Sequence, residues 1–261
     1  MRSIDALCER YERCHGTLCP GVVLGLRMAV LGCSLVSLED PRTAGRNKMI
    51  VWVEIDRWLA DAVETVMGAR LSKRTLKFLD YGKLAATFLN VDTRAAVRIV
   101  ALESSRGLAD LRHQEIESKH ARQMRVYREA TDEELFACNA VDVLLNEMDA
   151  PGHPRSRVIC GRCDEGVNDG REVRTADGST LCRPCAFGAG PRSHQKSDRI
   201  SDGSGDSSGP PLFASNSNYL IRPISFSSPT LRQNHPSRRL VTSGWLLSHC
   251  HAESTSSGVL S

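Results

Sequence analysis

Two Cys-x-x-Cys pairs, Cys160/Cys163 and Cys182/Cys185, are separated by eighteen residues. This is the spacing of zinc ribbons and treble clefs. Each pair sits on a tight knuckle with both sulfurs aimed at one ion, and four thiolates complete a tetrahedron. The intervening EVRTADGSTLC reads as a hairpin turning at Asp177-Gly178, which brings the pairs together. A module of under thirty residues with few large apolar groups has little means of folding without metal. An iron–sulfur cluster or redox dithiols would use the same residues. Structural zinc is the expectation, and four sulfurs leave no open coordination position for catalysis.

A second set of thiols lies in residues 14–31, CHGTLCPGVVLGLRMAVL. Cys19 falls at the N-cap of an apolar helix and Pro20 at its first position, where a missing N–H costs nothing. A thiol there meets the positive end of the helix dipole, a setting that favours the thiolate. His15 stands four residues earlier. The two are candidate catalytic residues and candidate ligands of a labile metal. The plainer reading is a capped, buried helix with a half-buried His, since Cys is commonly a small core residue.

Other stretches carry less chemistry. In GARLSKRT, residues 68–75, the Gly-to-Lys spacing is one short of a P-loop and Arg74 separates Lys73 from Thr75. Lys73, Arg74 and Lys77 read as a solvated basic face, with anion binding as the competing account. Asp56 and Asp61 lie one and a half helical turns apart and do not make an acid/base pair. GWLLSHCH, residues 244–251, reads as a stray apolar patch rather than a short helix or a His/Cys metal site.

The totals bound the function. At 261 residues the chain holds one or two domains, and a net charge of +3 gives no reason to expect nucleic acid as the main partner. The finger also lacks an Arg- and Lys-rich recognition helix, which weakens a DNA-binding regulator. Ten cysteines, four of them in the two pairs, point to reduced thiols and a cytoplasmic setting. The N-terminal MRSIDALCERYERC has no apolar run for secretion. Residues 22–38 are long and apolar, but Arg27 near their middle favours a buried helix over a membrane span.

The elements that must position these residues follow from periodicity. Ile4, Leu7, Cys8 and Tyr11 recur at helical spacing. In the long helix after Cys19, Gly21, Gly25, Ala29 and Gly32 form a row of small residues that lets a helix or a second subunit approach. Residues 41–48 form a polar connection. MIVWVEI reads as a strand, and DRWLADAVETVMG as a helix with Asp56 as N-cap and Gly68 as stop. RTLKFL, KLAATFL and AVRIVAL read as three strands, the first two joined by a turn at Asp80-Tyr81-Gly82. Residues 108–148 return to helix, with a capping box at Thr131 and Glu134 before the second of these helices. The order predicts an α+β fold of helices packed on a mainly antiparallel sheet over residues 1–148. A linker follows at 149–157, the cysteine module at 158–187, and a disordered low-complexity tail at 188–261.

With these motifs in view, the chain resembles the FmdE family, named for a component of formylmethanofuran dehydrogenase. The likeness runs from CHGTLCPGVVLGLRM through VEIDRWLADAV and RTLKFLDYGKLAATF to the terminal Cys-x-x-Cys pair, roughly residues 5–186. The resemblance implies an α+β core, a C-terminal treble-clef zinc finger and an intertwined homodimer. It further implies an accessory role beside a molybdenum- or tungsten-dependent formylmethanofuran dehydrogenase-type redox enzyme, whose subunits would be partners. Any enzymatic role is at most that of an associated subunit. The alternative is a non-catalytic dimeric scaffold whose only metal is structural zinc. His15, Cys19, Pro20 and Gly21 match a family motif associated with a second metal or redox site in the core. Thr17, Trp58 and Ala69 stand where relatives carry a His and two Cys, Ser72 where they carry a Gly, and Cys14 where they often carry an aromatic.

Overall fold

A computed structural model describes residues 2–188 and 220–223. Helix α1 (Ile4–His15) is capped by the Ser3 hydroxyl and buries Leu7, Cys8 and Tyr11. Gly16, at φ +93°, ends it and turns the chain toward Cys19, the N-cap of α2 (Pro20–Leu35). Helix α2 is apolar almost all round, as a helix buried on several faces must be. Its single interior charge is spent locally. The Arg27 guanidinium donates to the Tyr127 and Arg128 carbonyls at 3.1 and 3.2 Å and pairs with Asp132 at 2.6 Å.

Strand β1 (Met49–Val53) is buried at every position. Helix α3 (Leu59–Met67) ends at Gly68 in the left-handed conformation, as expected, but starts with Trp58 at the N-cap position rather than Asp56. Strands β2 (Leu76–Phe78), β3 (Ala85–Asn90) and β4 (Ala96–Ala101) follow. After α4 (Ser104–Leu111) and α5 (Lys119–Glu129), the capping box at Thr131 and Glu134 is present. It opens only a single turn, α6 (Asp132–Leu135), before strand β5 (Phe136–Leu144). The expectation of continued helix to residue 148 is therefore corrected. The open edge of β4 supplies hydrogen-bond partners for β5, and Val141 and Val143 alternate into the sheet.

The finger consists of β6 (Arg157–Ile159), β7 (Gly166–Asn168), β8 (Glu172–Arg174), β9 (Thr180–Cys182) and α7 (Arg183–Phe187). A last strand, β10 (Leu220–Pro223), pairs antiparallel with β5 and opposes Arg222 to Asp142. Within the stretch expected to be disordered, these four residues are thus a sheet edge. The apolar patch at residues 244–251 lies outside the described residues.

The main sheet runs β10-β5-β4-β3-β1-β2. All pairings are antiparallel except β1 with β2, which is parallel. The turn at Asp80-Tyr81-Gly82 therefore does not close a hairpin. Strand β1, apolar on both faces, takes the place between β2 and β3. Helices α1, α2, α3 and α5 pack on one face over Val51, Val53, Phe88 and Ile99. Ile50, Trp52, Leu89, Val141 and Val143 form a second cluster, against which Ile221 of β10 packs. Glu54, 2% exposed, is held by a two-pronged pairing with Arg98, both contacts at 2.7 Å. Among the described residues, no helix is long and apolar enough to cross a membrane.

The row of small residues on α2 is used inside the chain. A Cβ on Gly25 would lie 2.9 Å from the Ala62 Cβ of α3, and one on Gly32 would lie 2.6 Å from the Phe88 ring of β3. Helix and sheet approach the α2 backbone as closely as glycine allows.

Candidate metal centre and the cavity at Cys19

Cys160 follows β6, and Cys163 sits in the turn to β7, where the Cys160 N–H donates to the Glu165 carbonyl at 2.9 Å. Asp164 takes a left-handed conformation at φ +59° in this knuckle. The hairpin of β8 and β9 turns through Asp177-Gly178, with Gly178 at φ +84°. Cys182 ends β9 and caps α7, and Cys185 lies on that helix. The Gly161 N–H donates to the Thr180 carbonyl at 2.8 Å, stitching the first knuckle to the second hairpin.

The four sulfurs lie within 4.8 Å of one another, with Cys163 and Cys182 Sγ 3.8 Å apart. A tetrahedral ion with metal–sulfur bonds of about 2.3 Å sets its sulfurs about 3.8 Å from each other. The thiols also bias one another. The Cys182 N–H donates to Cys160 Sγ at 3.2 Å, and this and other backbone donors bring the Cys160 thiol down to about 6. Contact with the Cys182 sulfur, then burial and its remaining thiol neighbours, push Cys185 up to about 12. Four such groups ionise together only around a cation. The set is a metal-binding group, and among the described residues it is the only cluster of three or more His, Cys, Asp or Glu side chains able to hold an ion.

A polar latch ties the finger to the sheet. Arg74, left-handed at φ +60° between α3 and β2, donates to the Asp169 carboxylate and the Met148 carbonyl, and lies 3.9 Å from Asp149. Asp149 also pairs with Arg171. Burial alone would raise the Asp169 carboxyl. The Arg155 N–H, at 2.7 Å, and the Arg74 guanidinium instead hold it below the usual carboxylate range. Burial is the main cause lowering the Lys77 ammonium, with Arg74 and Arg171 adding to it against Asp149. Arg74 and Lys77 are thus not part of a solvated basic face. No local pattern in the sequence marks the latch, because Arg74 meets Asp169 across 95 positions of chain.

The core thiol is in different surroundings. Cys19 is half-buried against the core cluster and lines a cavity of about 280 Å³ with Gly21, Trp58, His120, Gln123 and Tyr127. Trp58 lies flush on α2, so that a Cβ on Gly21 would be 2.2 Å from its indole ring. His15 is exposed and stacks on Tyr11, with ring centroids 4.9 Å apart, and is not among the residues lining the cavity. Cys14 and Thr17 are exposed, and Ala69 is buried. Among the described residues no third ligand-type side chain joins Cys19 and His15. Three or four protein ligands are the rule for a firmly held ion. With Trp58 filling the space on Gly21, the residues present do not fit one here.

Known proteins bear on these findings. Residues 14–137 match the sequence model of FmdE, described as molybdenum formylmethanofuran dehydrogenase operon. A probable S-adenosyl-L-methionine-binding protein of Archaeoglobus fulgidus is 31% identical over 97 residues, 37% of this chain. The match spans only about a quarter, 26%, of that relative's length. Among solved structures, an FmdE-like protein of the tungsten formylmethanofuran dehydrogenase type from Syntrophus aciditrophicus is similar at 22% identity and a TM-score of 0.49. That similarity covers 72% of this chain and 94% of the other. The likeness to the FmdE family is thus carried by residues 14–137.

Proposed function

We propose that this chain is a zinc-binding FmdE-family protein that serves a molybdenum- or tungsten-dependent formylmethanofuran dehydrogenase-type redox system as a homodimeric accessory subunit without turnover of its own. The observation that carries the reading is the closed set of four thiols at Cys160, Cys163, Cys182 and Cys185. Four thiolates around one zinc leave no position for water or substrate, so the ion supplies folding energy to a module with almost no apolar core. The latch through Arg74 and Asp169 then fixes the finger as a docking face beside the sheet. The designation of the Archaeoglobus relative adds nothing about a ligand here, because most of that protein lies outside the match.

Metal analysis and light scattering on the purified full chain test this reading. One zinc per chain, no second firmly held metal and a dimer mass are expected. A second metal equivalent that disappears in Cys19→Ser would overturn it in favour of a core metal site. Co-purification of a tagged chain with molybdopterin-containing subunits tests the redox link, and a bare dimer would leave only the scaffold.

A second reading has one observation in its favour. Cys19 sits at the start of α2 on the wall of a cavity that His120 also lines, a placement suited to a reactive thiol. Iodoacetamide labelling read by peptide mass spectrometry separates the two. Labelling of Cys19 ahead of the exposed Cys14 supports the reactive thiol, and labelling behind it supports the accessory role.

A further inference from the structure

The stretch at residues 68–75, which fails as a P-loop, lines a second cavity. This cavity, of about 230 Å³, lies between that stretch and the loop at residues 41–47. Arg42, Arg46, Asn47, Gly68, Lys73 and Thr75 are on its walls, and no carboxylate is among its lining residues. Of the carboxylates close by in the chain, Glu64 pairs with Arg70, Asp92 with Lys48 at 2.9 Å and Asp40 with the Thr43 hydroxyl, while Glu39 lines the neighbouring cavity that Arg42 shares. Arg42 donates through Nη1 to the Glu64 and Thr65 carbonyls at 2.7 and 3.0 Å, which anchors it at the end of α3. Arg46 and Lys73 have no carboxylate partner among the described residues.

Three cations around one concavity without a counter-charge repel one another, and an anion is what relieves that repulsion. The donor chemistry narrows the class. A guanidinium fork and a lysine ammonium together suit a tetrahedral oxyanion, and the Asn47 amide adds a neutral polar group, while the Thr75 hydroxyl is engaged by the Arg70 backbone. The volume exceeds that of a bare ion and leaves room for a small organic group attached to it.

We propose that the cavity bounded by Arg42, Arg46 and Lys73 is a binding site for the phosphoryl group of a small soluble metabolite. The site is separate from the metal centre and independent of the accessory role.

Calorimetric titration of the zinc-loaded full chain with inorganic phosphate tests it. One saturable site per chain is expected, with sulfate competing and acetate not. Lys73→Ala and Arg46→Ala should each weaken phosphate binding about tenfold or more, the scale of a lost charge-assisted hydrogen bond. Lys73→Arg should stay within a few-fold of the parent, and Arg125→Ala, remote from the cavity, should change nothing. Circular dichroism and zinc content establish that each variant is folded. Absence of saturation, equal affinity in Lys73→Ala, Arg46→Ala and Arg125→Ala, or acetate competing as well as sulfate would overturn the proposal.

Discussion

The two cysteine-bearing regions solve opposite problems. In the finger, four ligands supplied within 26 residues converge to within 4.8 Å, around a module in which only Cys160, Asp169 and Cys182 are buried. In the core, Cys19 has the company of Trp58 and a dense apolar cluster, and among the described residues no group of three ligand-type side chains close enough to hold an ion includes it. The finger has almost no apolar core to hold it together, whereas in the larger domain helices and sheet already exclude water. Similar residue types therefore do different work: sulfur is the structure in one region and a lining group in the other.

The sharpest way to break this comparison is to remove one finger ligand. Cys163→Ser should release the bound metal and unfold residues 157–187, with a loss on the scale of the metal's binding energy, about 10 kcal/mol or more in small zinc modules. Hydrogen exchange should show the amides of β6 to β9 unprotected while those of β1 and β3 keep their protection. Simultaneous loss of the sheet would mean that the core also depends on the ion.

Next in size is the latch. Arg74→Met removes the guanidinium from the buried Asp169 carboxylate and the Met148 carbonyl, leaving them the Arg155 N–H and Arg171 as donors, which should cost about 2–4 kcal/mol, near the range for breaking a buried pair. Metal stoichiometry should hold at the parental value while chemical denaturation separates into two transitions, finger and core. The Asp169 carboxyl should also move up toward its ordinary range, followed by carbon NMR titration. A single unsplit transition of parent stability would show that finger and core are joined by something other than this residue.

What could be read in the sequence follows the same division. The finger was legible because its ligands are local and tetrahedral sulfur chemistry tolerates few spacings. The start of α2 was legible for the same reason, since Cys19, Pro20 and the apolar run after them are contiguous. Strand order was not. The DYG turn predicts a hairpin, and only the burial of β1 on both faces explains why it lies between β2 and β3. Strand β5 was hidden behind a true capping box, whose helix lasts one turn. Arg74 gave no local signal, because its carboxylate partners come from segments 75 and 95 residues away. His15 and Cys19 are close in the chain, yet the turn at Gly16 leaves one stacked on Tyr11 and the other on a cavity wall.

Within the core, the comparison is sharpened at α2. Gly21→Ala places a methyl where the Trp58 ring already lies, and overpacking of this kind should cost about 1–3 kcal/mol. The penalty should shrink to a few tenths in a Trp58→Ala background, a double-mutant cycle that isolates the contact. Equal penalties in both backgrounds would mean that the space beside Cys19 is not filled by Trp58 and remains open to a ligand.

The smallest effect is expected at His15. An exposed imidazole stacked on Tyr11 should contribute about 0.5 kcal/mol or less, so His15→Ala should leave unfolding within measurement error of the parent. Its value lies in what stays constant. If His15 takes part in a core metal site with Cys19, the substitution should lower total metal content or change the labelling rate of Cys19. If sulfur in the core is only a lining group, zinc remains at one per chain and Cys19 reacts at the parental rate. A substitution that barely touches stability thus decides whether the two cysteine regions differ in kind or only in how tightly each holds its ion.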